Sequence, residues 1–71
     1  MQMKKYTLLW QKLRQIRRAK DLTQKEVAKR LGVSLTTFIY WETGKVKPKA
    51  ENLVKIVELF GNEIYREEDV K

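Results

Sequence analysis

The sequence contains no cysteine and no histidine. The first absence rules out disulfides and thiolate metal sites as staples for the fold. The second removes the commonest general base and the usual zinc ligand. Ser34 is the only serine. Gly44-Lys45 runs into Val46, so it does not end a phosphate-cradling P-loop, and no paired carboxylates sit in an apolar context. An enzyme is therefore not expected, nor a cofactor or a bound metal. Glycine occurs three times and proline once, a scarcity that argues against disorder and favours short helices. Long apolar runs are also missing. Leu8-Leu9-Trp10 falls far short of the roughly 18 residues a membrane span requires, and Gln11, Lys12 and Arg14 interrupt any signal-like segment. The expectation is a cytoplasmic protein with no membrane partner.

What remains is a 71-residue chain, 42% apolar, with a net charge of +7. That length predicts one domain over residues 1–71, burying only about 60% of the surface its unfolded form exposes. The charge is uneven. Residues 1–60 carry fourteen Lys and Arg against five Asp and Glu, whereas residues 61–71 carry two against four. A basic body with a small acidic tail predicts a polyanionic partner, nucleic acid ahead of an anionic membrane surface.

The apolar spacing predicts helices only. Tyr6, Leu9, Leu13 and Ile16 form one stripe of a first helix from about Thr7, its cap, to Lys20. Thr23-Gln24-Lys25-Glu26 reads as a capping box opening a second helix, which Gly32 ends. Ser34 caps a third, about Leu35 to Glu42, closed by Gly44. A basic loop, Lys45 to Lys49, leads through Pro48 into a fourth, about Ala50 to Phe60. The core spans 7–61, and 62–71 is an acidic tail or a short fifth helix anchored by Ile64, Tyr65 and Val70. The expected class is all-α, a compact bundle of four to five short helices.

From Gln24 to Thr43 the pattern is more specific. Val27, Leu31, Val33, Phe38 and Trp41 supply the apolar positions that pin two steeply crossed helices to one core. Ala28 is small where the backbones must approach, and Gly32 supplies the positive φ of a tight turn. With residues 13–34 and the run Trp41-Glu42-Thr43-Gly44-Lys45 before Pro48, this stretch resembles the phage-repressor (Cro and cI) type helix-turn-helix, the XRE family, over roughly residues 9 to 61.

The resemblance implies a lambda-repressor-like domain that binds double-stranded operator DNA, typically palindromic, as a homodimer. It implies a transcriptional regulator, a repressor or an antitoxin-like autoregulator, with a toxin or effector domain as a further possible partner. The third helix would lie in the major groove, with Leu35, Thr36 and Tyr40 at the base-reading positions. Leu35 and the Thr36 methyl suit thymine methyl groups, and Tyr40 can donate one hydrogen bond. None makes a bidentate contact, which shifts weight to phosphate contacts and DNA shape. Gln24, at the head of the second helix, and Thr37, Thr43, Lys45 and Lys47, flanking the third, are the expected phosphate contacts. The resemblance also pairs Arg17 with Glu42 as a structural ion pair. Lys12, Arg14, Lys29 and Arg30 read as solvated helix faces, and Trp10 as bundle cover or interface. An alternative is a protein-interaction module, of the bridging coactivator type, using the apolar surface around Leu35, Ile39 and Tyr40.

Overall fold

The first element is a strand. The computed structural model describes the backbone of residues 3–70 and the side chains of residues 7–66. In order, the elements are β1 (Met3–Leu8), α1 (Trp10–Ala19), α2 (Gln24–Leu31), α3 (Leu35–Glu42), α4 (Ala50–Phe60), a 3-10 turn (Asn62–Ile64) and β2 (Tyr65–Val70). The body is the all-α bundle of four helices that the sequence predicts. The two terminal segments add an antiparallel ribbon, β1 against β2, registered from Met3 opposite Val70 to Leu8 opposite Tyr65.

This ribbon corrects two expectations. The tail is not a fifth helix: residues 62–64 make one 3-10 turn, and 65–70 are strand. The register sets Lys4 opposite Asp69 and Lys5 opposite Glu68, so the acidic end of the chain pairs with its basic beginning. The second correction follows from the first. Thr7 does not cap a helix, because it lies in β1 opposite Arg66. Leu9 takes the cap position without a side-chain bond, and its N–H donates instead to the Ile64 carbonyl at 2.8 Å. Tyr6, expected on the stripe of the first helix, lies instead in β1 opposite Glu67; its side chain and that of Val70, expected as an anchor of the tail, lie outside those described.

The remaining boundaries follow local chemistry. At the head of α2 the Glu26 N–H donates to Thr23 Oγ1 at 3.0 Å, and the Thr23 N–H donates back to Glu26 Oε1 at 3.1 Å. The Thr23 backbone N–H and then its hydroxyl hold the Glu26 carboxyl below its ordinary value. Gly32 closes α2 at φ +72°. The Val33 N–H then reaches back to the Ala28 carbonyl at 3.0 Å, the long bond of a Schellman ending. Two residues later Ser34 opens α3 by accepting the Thr37 N–H at 3.0 Å.

Leu13, Val27, Phe38, Ile56 and Ile64 are fully buried, one from each of the four helices and one from the 3-10 turn. Leu8, Ala28, Leu31, Trp41 and Phe60 complete the core. Because Phe38 and Trp41 both point inward, the face of α3 that carries Leu35, Thr36 and Tyr40 is turned to solvent.

Candidate nucleic-acid interface

The outward face of α3 is apolar at its ends and hydroxylic between. Leu35 is 42% exposed and Tyr40 36%, with Thr36 exposed between them and Thr37 half-buried. The Ser34 hydroxyl donates to Thr37 Oγ1 at 2.8 Å, which leaves the Thr37 hydroxyl proton available to an acceptor such as a phosphate oxygen. Thr43 differs. Its hydroxyl donates to the Ile39 carbonyl at 2.9 Å, so its proton is committed to its own helix, and it must rotate before it can serve a phosphate.

Past α3 the chain folds back over the end of the helix. The N–H groups of Lys45 and Val46 both donate to the Tyr40 carbonyl, at 2.9 and 3.2 Å. The Lys45 ammonium sits 4.6 Å from the centroid of the Tyr40 ring, a cation–π contact that holds the charge beside the outward face of α3. Lys47 follows, exposed in the same loop.

Beneath this surface Glu42 gathers a cluster of donors. Arg17 binds it through two atoms, Nε to Oε2 at 2.8 Å and Nη2 to Oε1 at 3.1 Å, the planar fork that makes arginine–carboxylate pairs directional. The third guanidinium nitrogen, Nη1, donates to the Leu22 carbonyl at 2.8 Å. Gln24 Nε2 adds a bond to Oε1 at 3.0 Å, and Arg14 Nε a longer one at 3.4 Å. The Glu42 side chain is 0% exposed, that of Arg17 11%, and that of Arg14 52%. The pair fastens the last turn of α1 to the end of α3, and through Gln24 it draws in the head of α2. It therefore sets the angle at which α3 leaves the body.

Burial pushes the Glu42 carboxyl up. The hydrogen bonds from Arg17 and Gln24, the Arg17 charge and the Arg14 bond together outweigh it and hold the carboxyl below its ordinary value of 4.5. A depressed carboxylate contributes stability that is fully present above its unfolded value and is lost as pH falls through the folded one. With no histidine, no side chain has an ordinary pKa between about 5 and 8. Thermal melts are therefore expected to be level across that interval and to drop below pH 4.5. Glu42→Gln removes Glu42's share of the drop. A melting temperature that changes steeply between pH 6 and 8 contradicts this picture.

Among the residues expected at the site, the structure brings Arg17, Gln24 and Glu42 together, and separately Tyr40 and Lys45. Any phosphate contact by the Gln24 side chain would compete with Glu42, to which its amide already donates. What Gln24 keeps for an anion is chiefly the backbone N–H groups at the head of α2. Arg14 was expected as solvated surface, and it supplies the outermost donor to Glu42. Its place three residues before Arg17 on one helix face is the signal that could have found it. Among the described residues no cluster of acidic side chains is placed to hold a metal ion.

Comparison with known proteins adds three relatives. The helix-turn-helix family profile matches residues 13–65. The chain is 38% identical over 50 residues to the cryptic phage CTXphi transcriptional repressor RstR of Vibrio cholerae, covering 70% of this chain and 45% of that one. It is 44% identical over 50 residues to the HTH-type transcriptional activator BcrR of Enterococcus faecalis, covering 70% of this chain and 24% of that one. An uncharacterised HTH-type transcriptional regulator of Methanocaldococcus jannaschii is 43% identical over 53 residues, covering 75% of this chain and 80% of that one. The chain thus spans less than half the length of the first two relatives. No solved structure matches it significantly.

Proposed function

The chain belongs to the XRE (Cro/cI-type) family of helix-turn-helix proteins, and from that premise we propose that it regulates transcription by binding operator DNA with α3 in the major groove. The observation that carries this reading is the way α3 is mounted. Phe38 and Trp41 are buried while Leu35, Thr36 and Tyr40 face outward, and exposed Lys45 and Lys47 follow directly at its end. Leu35 and the Thr36 methyl pack against thymine methyls, and Tyr40 hydrogen-bonds at the edge of the site. Lys45, Lys47, Thr37 and the amides at the head of α2 hold phosphates, with Thr43 joining after its hydroxyl rotates. Two copies bind a palindrome, one protomer to each half-site. Repression, including that of its own promoter, requires no more than occupancy of the operator and is the proposed mode. The protein acts in the cytoplasm, where its DNA lies.

Selection of bound sites from a random duplex pool tests this. The expected winners are inverted repeats whose half-site centres lie one helical turn apart, about 34 Å, or a multiple of it. A pool that fails to converge, or that converges on a single unrepeated element, overturns the dimeric operator reading.

A further inference from the structure

Trp10, read from the sequence as bundle cover or interface, has no part in the DNA-binding roles above. The residue opens α1 and is 41% exposed. Its indole lies directly on Gly44: a Cβ built on that glycine would sit 2.7 Å from both Cε2 and Nε1 of the ring. Gly44 is the hinge between α3 and the basic loop, at φ +78°. The backbone leading into Trp10 is anchored, because Leu8 is buried and the Leu9 N–H donates to the Ile64 carbonyl.

We propose that Trp10 is a positioning residue for DNA binding, whose indole clamps Gly44 and so fixes the backbone that presents Lys45 and Lys47. The inference rests on the phosphate roles proposed for those lysines and names what holds them in place. Gly44 is thereby constrained twice, by its left-handed backbone and by the ring upon it. Gly32 provides the control. Its φ of +72° is nearly the same, yet a Cβ there would meet nothing within 4 Å. An alanine at Gly32 therefore meets backbone strain alone, whereas one at Gly44 also displaces the indole.

The test compares Trp10→Ala, Trp10→Phe and the parent for binding to random duplex DNA across a salt series, with buried Trp41 as the internal reporter of folding. Removing the clamp frees backbone that must be ordered again on the DNA, and one such residue costs about tenfold in affinity. Trp10→Ala is expected to bind about tenfold more weakly with an unchanged salt slope, because the same phosphates are neutralised once the loop is ordered. Trp10→Phe, whose flat ring still covers Gly44, is expected to recover most of the loss while Trp41 emission stays native in both. In parallel, Gly44→Ala should reduce DNA affinity more than Gly32→Ala in the parent, and the difference should vanish in a Trp10→Ala background. A folded Trp10→Ala protein that binds like the parent overturns the proposal and leaves the DNA-binding reading intact. If Trp10→Ala is unfolded, Trp10→Phe and the comparison of Gly44→Ala with Gly32→Ala in the parent decide. Absence of duplex binding by the parent itself overturns the underlying reading and the proposal with it.

Discussion

Replacing Glu42 with alanine is expected to lower stability by about 3–5 kcal/mol. The carboxylate is wholly buried and accepts from Arg17, Gln24 and Arg14. Its loss strands the Arg17 guanidinium, only 11% exposed, with the Leu22 carbonyl as its remaining partner. A chain of 71 residues has a total stability of about 4–10 kcal/mol, so the variant should be close to unfolded at room temperature. Arg14→Ala is the contrast. At 52% exposure and 3.4 Å it is a peripheral donor, and its removal should cost under about 1 kcal/mol. Replacing both buried partners, Arg17→Met with Glu42→Leu, should recover most of what Glu42→Ala loses, because it removes the unpaired charge along with the pair. Chemical denaturation of the four proteins measures all of this. A Glu42→Ala cost below about 1 kcal/mol would mean that water reaches the pair and that it does not set the mounting of α3.

Removing Lys45 and Lys47 together is expected to weaken binding to every DNA sequence about equally, and strongly. Each phosphate contact contributes about 0.9 to the log–log salt slope, so each lysine is worth about eightfold at 0.1 M salt and the pair about sixtyfold. The slope should become shallower by about 1.8 in the double variant. Thr36→Ala should behave differently. Its loss is one methyl contact to a base edge, which changes the preference among operator variants by about fourfold and leaves random-duplex binding nearly as it was. Isothermal or anisotropy titrations against operator, mutated operator and random duplex separate the two patterns. Matching effects from lysine and threonine changes would contradict the division into positioning and reading residues.

The interior boundaries of the helices were legible because their signals are local. A capping box at Thr23 to Glu26, a glycine at position 32 and a serine at 34 each act within four residues, and each is where the helices break. The core of the central stretch was legible for the same reason, since spacing alone decides which residues share a helix face. The ribbon was not. Its strands join opposite ends of the chain, and each alone is a short polar segment without clear alternation. The consequence at Thr7, a strand residue where a cap was expected, follows from that missed long-range pairing. The Arg17–Glu42 contact came from the resemblance, but the competition for Glu42 did not. Whether Gln24 faces a phosphate or turns to a buried carboxylate depends on how α2 sits over α3, which no local pattern states. Trp10 on Gly44 is of the same kind, a contact between residues far apart in sequence whose glycine already had a sufficient local explanation.

The central claim is that the excess positive charge is used on DNA through the surface around α3. Titration of the protein with random duplex DNA at rising salt addresses it most directly. With four to six phosphates engaged per protomer, log affinity should fall against log salt with a slope of about −4 to −5. No binding at low salt, or binding indifferent to salt, would contradict it.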